Sequence, residues 1–386
     1  MFSKRLPYLQ EENKLYQLLQ KKRSADSVVV DLTSSNPSEE ELIAEAGLLD
    51  HFSNDKQSLY YKPSARGLIE AREAISEYYN TSYNIQIDPD DIFLTTGTSE
   101  SYSYLFKLLA NPGEEVLIPS PVYPLFEFIG QLEGITISKY RLYFGGKQWQ
   151  YELPGKLDLN NIRAMVIINP NNPTGSYIKS DEKLQLSTLS KRENIPLIID
   201  EVFYDYELEV GDKETFVSEK AGLNFVLNGV SKLCGLPQMK LGWIILAGEE
   251  KHKAEAKRRL EIITDTFLSV STPIMRAAYR FLEEGNFIRE KIQNRIKHNY
   301  QHLKSYLKSP YRLLPVEGGW YAIIELDENI PDEDFALQLL KEKNVYVYPG
   351  YFFEFEESNK IVISLIVKEE RFQEGVSLIM DFYNFR

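Results

Sequence analysis

The sequence predicts an α/β protein: a large domain with a mostly parallel, seven-stranded type of sheet sandwiched by helices, plus a smaller α+β domain. Three observations predict it. Short apolar runs ending in turn residues alternate with helical patterns over roughly residues 60 to 250. A long helical stretch follows, and then a compact mixture of strand and helix patterns. At 386 residues the chain also exceeds what one core usually fills.

The runs that read as buried strands are Ile92–Thr95, Glu115–Ile118, Ala164–Ile168, Pro196–Ile199, Phe225–Leu227 and Trp243–Ala247. Helical crossovers between such strands make them parallel, and place ligand chemistry at their C-terminal ends. From about Glu249 to Ser309 the pattern is helical. Its segment EEKHKAEAKRRLE, with closely spaced opposite charges, reads as a solvated linker helix. Beyond it, Gly319–Leu326, Asn344–Tyr348 and Lys360–Ile366 read as strands and Glu333–Lys343 as a helix, a unit expected to pack with the N-terminal arm. The expected division is 1–50 as arm and part of the small domain, 51–270 as the large, ligand-binding domain, and 271–386 as linker helix and C-terminal small domain.

A hydrophobic fraction of 43% and a charged fraction of 26% are those of an ordinary globular protein. The net charge of -13, with Lys and Arg interleaved among acids, leaves no footprint for nucleic acid. Cys234 is the sole cysteine and His51, His252, His298 and His302 the only histidines, so neither a disulfide framework nor a metal site is expected. Met1–Gln20 mixes Lys, Arg and Glu, and no segment approaches the roughly 18 apolar residues of a membrane span, so a cytoplasmic protein without membrane contact is expected.

Three motifs sit at strand ends. Asn169-Pro170-Asn171-Asn172-Pro173-Thr174-Gly175 follows an apolar run as a rigid turn, which backbone chemistry alone could explain. Asp200-Glu201-Val202-Phe203 puts a carboxylate where burial demands a partner, either a protonated heterocyclic nitrogen or a helix cap. Ser231-Lys232-Leu233-Cys234-Gly235 carries a lysine that in isolation would be a surface residue. Asn172, Asp200 and Lys232 lie about one crossover unit apart, so neighbouring strands can bring amide, carboxylate and amine to one sheet edge. That is the set a pyridoxal ring needs.

Through NPNNPTG, DEVF and the SKLCGLPQMKLGW stretch ending at Trp243, the chain resembles the class I and II aminotransferases of fold type I, over most of its length. The resemblance implies pyridoxal 5'-phosphate held as a Schiff base on Lys232, with Asp200 on the ring nitrogen and Asn172 on the phenolic oxygen. It also implies a phosphate-binding turn at Thr98 and Ser99, aided by Ser231 and Lys240, and a ring platform at Tyr123. Tyr61, in Tyr61-Lys62-Pro63-Ser64-Ala65-Arg66-Gly67, resembles the tyrosine that reaches the phosphate of a neighbouring subunit, which implies a homodimer. Ser35 and Asn36 resemble the loop over the substrate. The implied activity moves an amino group between a small-molecule amino donor and a 2-oxo acid. The same residues would equally serve a C–S β-lyase or a decarboxylase. A non-catalytic binding or regulatory protein is a further alternative, whereas a nicotinamide dehydrogenase would require a GxGxxG turn that the sequence lacks.

Three departures from the family pattern stand out. Lys240 replaces a phosphate-gripping arginine, Phe203 occupies the place of a tyrosine, and Val362 aligns with the arginine for the substrate carboxylate. Lys62, Arg66 and Arg141 are candidate replacement cations.

Overall fold

The computed structural model describes residues 3, 5, 12–152, 159–209 and 211–383, so the Met1–Gln20 stretch falls partly outside the described residues. In chain order the helices are α1 (Lys14–Ser24), α2 (Asp50–Asn54), α3 (Ile69–Tyr83), α4 (Thr98–Leu109), α5 (Phe126–Glu133), α6 (Ser180–Glu193), α7 (Val230–Leu233), α8 (Glu250–Phe267), α9 (Thr272–Arg276), α10 (Ala278–Tyr306), α11 (Asp332–Lys343) and α12 (Glu369–Tyr383). The strands are β1 (Val30–Asp31), β2 (Ile92–Thr95), β3 (Glu115–Ser120), β4 (Thr136–Phe144), β5 (Trp149–Glu152), β6 (Ile162–Ile168), β7 (Leu197–Asp200), β8 (Leu223–Gly229), β9 (Gly242–Gly248), β10 (Arg312–Leu313), β11 (Tyr321–Glu325), β12 (Val345–Tyr346), β13 (Tyr348–Pro349) and β14 (Lys360–Ser364).

The main sheet has eight strands in the order β2-β9-β8-β7-β6-β3-β4-β5. β4, β3, β6, β7 and β8 run parallel, while β9 is antiparallel to both β8 and β2. Two reversals leave β2 pointing with the parallel set, so β2, β3, β6, β7 and β8 all end at the same edge. The six strands read from the sequence are all present, extended by one or two residues at several ends, with β7 starting one residue later than read. Missing from that reading were β4 and the antiparallel β5 beside it, an edge hairpin whose charged outward residues hide its period.

Alternation along each strand divides the core. Met165, Ile167, Leu197, Ile199, Trp243 and Ile245 face one helical layer, and Val166, Ile168, Ile198, Ile244 and Leu246 the other. α8 corrects the reading of its charged segment as a solvated linker: Ala256 and Leu260 pack into the second layer, against α4. Its charges occupy only the outward face. The bridging role belongs to α10, which packs on α3 near its start and on α12 further along.

A third cluster joins Leu15, Leu19 and Leu32 to Ile288–Leu303 of α10 and to the small antiparallel sheet β10-β11-β14-β13. The N-terminal arm enters it through β1, which pairs with β12 in parallel. This draws residues 30–40 alongside the C-terminal strands, with Ser364 N donating to Leu32 O at 2.7 Å.

Candidate active site

Asp200 ends β7, in register with Ile168 on β6 and with Leu227 on β8. The NPNNPTG turn leaves β6 and α7 leaves β8, so Asn172, Asp200 and Lys232 emerge from three adjacent strand ends. The main-chain turn around Lys232 is fixed from outside: Tyr206 Oη donates to Lys232 O at 2.6 Å, and Gly319 N donates to Tyr206 O at 2.8 Å. The Lys232 amine lies 4.9 Å from the Trp320 ring centroid and 5.7 Å from that of Phe203. Those rings flank the half-buried amine, and burial lowers its pKa to about 8 against the pull of Asp200.

Asp200 is 8% exposed and accepts from Tyr102 Oη at 2.8 Å and from Val202 N at 3.1 Å. Burial raises its pKa to about 6, and those two donors together with Lys232 oppose the rise. Glu201 is turned away into the core. It accepts from Thr215, from Phe216 N and from Asn169, and burial lifts it to about 7.

At the end of β2, Gly97 precedes α4 and its first-turn amides. A Cβ built on Gly97 would have Lys240 Nζ at 3.9 Å as its nearest neighbour, so the lysine amine stands over an open cradle. Gly242, the first residue of β9, makes this possible: a Cβ there would meet Gly97 Cα at 2.9 Å. Thr98, in the first turn of α4, and Ser231 are half-buried, and Ser99 is exposed.

The remaining sequence candidates are scattered in character. Asn172 keeps a buried amide oxygen without a protein partner. Tyr123 and Tyr61 are exposed, at 47% and 71%. Ser35 and Asn36 are half-buried, Ser35 bonding the Tyr321 hydroxyl and Asn36 bonding Ser38. Of the proposed replacement cations, Arg66 is taken by Glu261 and Arg141 by Glu356, while Lys62 is exposed. Phe203 presents a bare ring to Lys232, and Tyr204 does not substitute for it, because its ring packs against Tyr83 and Tyr177 beneath Lys213. Val362 is fully buried in β14, opposite Ile323 and Tyr348.

Sequence reasoning missed Tyr102, Tyr206 and Trp320. Tyr102 lies one helical turn after Thr98, so the 3.6-residue period of α4 could have found it. For Trp320 the only signal was the Gly318-Gly319 pair before an aromatic run, and Tyr206 had none.

This donor set fits pyridoxal 5'-phosphate. An amine near neutrality suits an aldehyde, a buried carboxylate suits a protonated ring nitrogen, the orphaned Asn172 amide suits a polar ring substituent, and a helix N-terminus under a lysine suits a phosphate. Comparison with known proteins agrees. The chain is 31% identical over 330 residues to the S-alkyl-thiohydroximate lyase SUR1 of Arabidopsis thaliana, covering 80% of this chain and 69% of that one. It is 28% identical over 369 residues to the aspartate aminotransferase of Thermotoga maritima, covering 93% and 92%. Its fold matches an alanine aminotransferase from Pyrococcus furiosus with a TM-score of 0.87 over 100% of both chains, at 22% identity. The profile of the family described as Aminotransferase class I and II matches residues 27–379, and the chain belongs to that family of pyridoxal-phosphate-dependent transferases.

Proposed function

We propose that this aminotransferase works through Lys232 as covalent anchor and proton carrier, with Asp200 holding the cofactor's ring nitrogen. Pyridoxal phosphate, when bound, supplies an aldehyde that condenses with amines and a ring that accepts the electron pair released at the amine-bearing carbon. The protein's part is electrostatic and positional. The observation that carries the reading is the placement of Lys232 and Asp200 at the ends of adjacent strands, one lowered to about 8 and the other raised to about 6. A lysine near neutrality is free to take a proton from the substrate carbon and return it one atom further along. Asp200 stays anionic when a cationic partner lies beside it, and Tyr102 fixes its orientation. Trp320 and Phe203 flank the amine with apolar rings.

The finer assignments are part of the same proposal. Thr98, Ser99, Ser231 and Lys240 would hold the phosphate, Tyr123 would stack on the ring, and Asn172, Ser35 and Asn36 would meet the substrate. Leu59, Tyr60 and Tyr61 stand exposed in a row, which supports a homodimer in which Tyr61 serves the partner's site. Residues 51–270 would form the cofactor-binding unit and 1–50 with 271–386 the smaller one. A cytoplasmic location is part of the same proposal. No helix among the described residues is long and apolar enough to cross a membrane.

The test is a visible spectrum of the purified protein with the cofactor. An amine donor should bleach the absorption band and a 2-oxo acid should restore it. A β-lyase is the second reading, favoured by the printed activity of the Arabidopsis relative. Release of ammonia, pyruvate and a thiol from a cysteine conjugate would select it.

A further inference from the structure

Between Glu201 and Tyr206 the chain folds into two overlapping turns, with Tyr204 N donating to Glu201 O and Tyr206 N to Phe203 O, each at 3.0 Å. The second turn meets Lys232 at both ends of the residue. Its Phe203 ring flanks the amine, and its Tyr206 Oη bonds the lysine's carbonyl. Both rings also make edge contacts with Trp320, the other ring beside the amine, at centroid distances of 5.2 and 5.1 Å. Whatever fixes this turn therefore fixes the surroundings of the lysine.

Asp205 lies within the turn and bonds the helices behind it. Its Oδ2 accepts from Tyr78 Oη at 2.8 Å and its Oδ1 from Tyr83 Oη at 2.6 Å, both phenols belonging to α3. Burial, and then Asp205 itself, push both phenols far above their ordinary range, so they stay donors at any working pH. Arg289 of α10 completes the set, with Nη1 3.4 Å from Oδ1. The carboxylate is 13% exposed and the guanidinium 22%, so solvent screens their attraction only weakly. One helical turn further along α10, Gln293 Nε2 donates to Glu207 O at 2.6 Å. The turn is thus tied to two helices by contacts that involve neither Lys232 nor Trp320.

Asp205 can act on the amine in two ways, and they have opposite signs. Loss of a nearby anion lowers an ammonium's pKa, whereas a loosened turn admits water and raises it. Burial sets the Lys232 amine low and Asp200 is the charge that opposes it, while Asp205 is balanced by Arg289.

Resting on the proposed use of Lys232, we propose that Asp205 is a positioning residue for the reaction. With Tyr78, Tyr83 and Arg289 it fixes the Phe203–Tyr206 turn, and through that turn the place of the Lys232 amine. A nucleophile and proton carrier displaced by about an ångström loses rate steeply, while ground-state binding of the donor changes far less.

The experiment compares the parent with Asp205→Asn, which keeps the size of the side chain and one acceptor oxygen but not the charge, and with Tyr83→Phe, which removes one donor. Asp91→Asn is the matched control, since Asp91 is a buried carboxylate held by Lys253 and Lys257, before the end of β2 that lies away from Gly97. For each protein, urea midpoints give stability, and colour formation from cofactor-free protein and pyridoxal phosphate gives the pH midpoint of attachment. The limiting rate and half-saturation of bleaching are read with whichever standard amino acid bleaches the parent fastest. Asp205→Asn should lower the limiting rate by roughly tenfold or more, change half-saturation by less than about threefold, and raise the attachment midpoint by about half a pH unit or more. Tyr83→Phe should move the same quantities in the same directions by less, and carries the test if Asp205→Asn does not fold. Asp91→Asn should lose stability and leave rate and midpoint unchanged. If the turn variants lose stability alone, as the control does, or if their attachment midpoint falls, the inference is overturned and the role of Lys232 stands. A parent that forms no coloured complex with the cofactor overturns both.

Discussion

The phenol of Tyr102 donates to Asp200 Oδ2 at 2.8 Å across the interface between α4 and β7, tying the helix proposed to hold the phosphate to the carboxylate proposed to meet the ring nitrogen. Burial and the neighbouring Asp200 hold this phenol protonated far above its usual range, so it remains a donor at any working pH. Tyr102→Phe should raise the Asp200 pKa further and cost about 1 to 3 kcal/mol of stability, because the buried carboxylate loses a partner. Denaturant unfolding of the cofactor-free protein, with cofactor dissociation measured alongside, checks both effects.

Lys232→Ala should abolish covalent attachment and lower turnover by roughly a thousandfold or more, since anchor and proton carrier go together. Borohydride treatment followed by intact-mass measurement should add the cofactor's mass less one oxygen to the parent, water being lost on condensation and two hydrogens gained on reduction, and nothing to the variant.

Attachment should depend on pH through the amine itself. Only the unprotonated amine attacks an aldehyde, and burial lowers Lys232 to about 8. The rate of colour formation from cofactor-free protein should therefore climb about tenfold per pH unit below pH 8 and level off above it. A climb continuing towards pH 10 would show that the amine is not desolvated.

Glu201 should make the protein less stable as pH rises towards neutrality. Its folded pKa of about 7 exceeds the ordinary value of 4.5, so the folded protein holds a proton that the unfolded chain has already released. This contribution is complete below pH 4.5 and lost as pH passes 7. Asp200 behaves likewise up to about 6. Glu201→Gln should flatten the upper part of the pH–stability profile, removing at most about 3 kcal/mol of slope. Urea midpoints of parent and variant between pH 5 and 8 test it.

Gly175 closes the NPNNPTG turn with φ at +69°, and a Cβ there would lie 2.4 Å from both Gly318 O and Val316 Cγ1. Its carbonyl accepts from Gly318 N at 2.9 Å, which docks the segment before β11 onto the main sheet. Gly175→Ala should cost about 2 to 4 kcal/mol and displace Trp320, visible as a change in tryptophan fluorescence.

What the sequence made legible follows from which contacts are local. Asn172, Asp200 and Lys232 could be read because each sits at the end of an apolar run and parallel strands bring such ends together. Phe203 was noticed as a departure, but that Tyr204 turns away from Lys232 depends on packing with Tyr83, which lies 121 residues earlier in the chain. Tyr206 and Trp320 could not be placed beside Lys232 because both contacts are long-range, Tyr206 lying 26 residues before the lysine and Trp320 entering from the segment before β11. The charge of α8 concealed a helix half-buried against α4, since Ala256 and Leu260 are few among many lysines and glutamates.

Tyr206 grips the lysine's carbonyl with its hydroxyl and the glycine before Trp320 with its own carbonyl. One tyrosine thus holds both the Lys232 turn and the approach to Trp320. Reshaping the indole's surroundings to suit another donor will shift Lys232, the proposed nucleophile, as well. New preferences will therefore arrive together with altered rates, and a directed-evolution campaign will have to tune both at once.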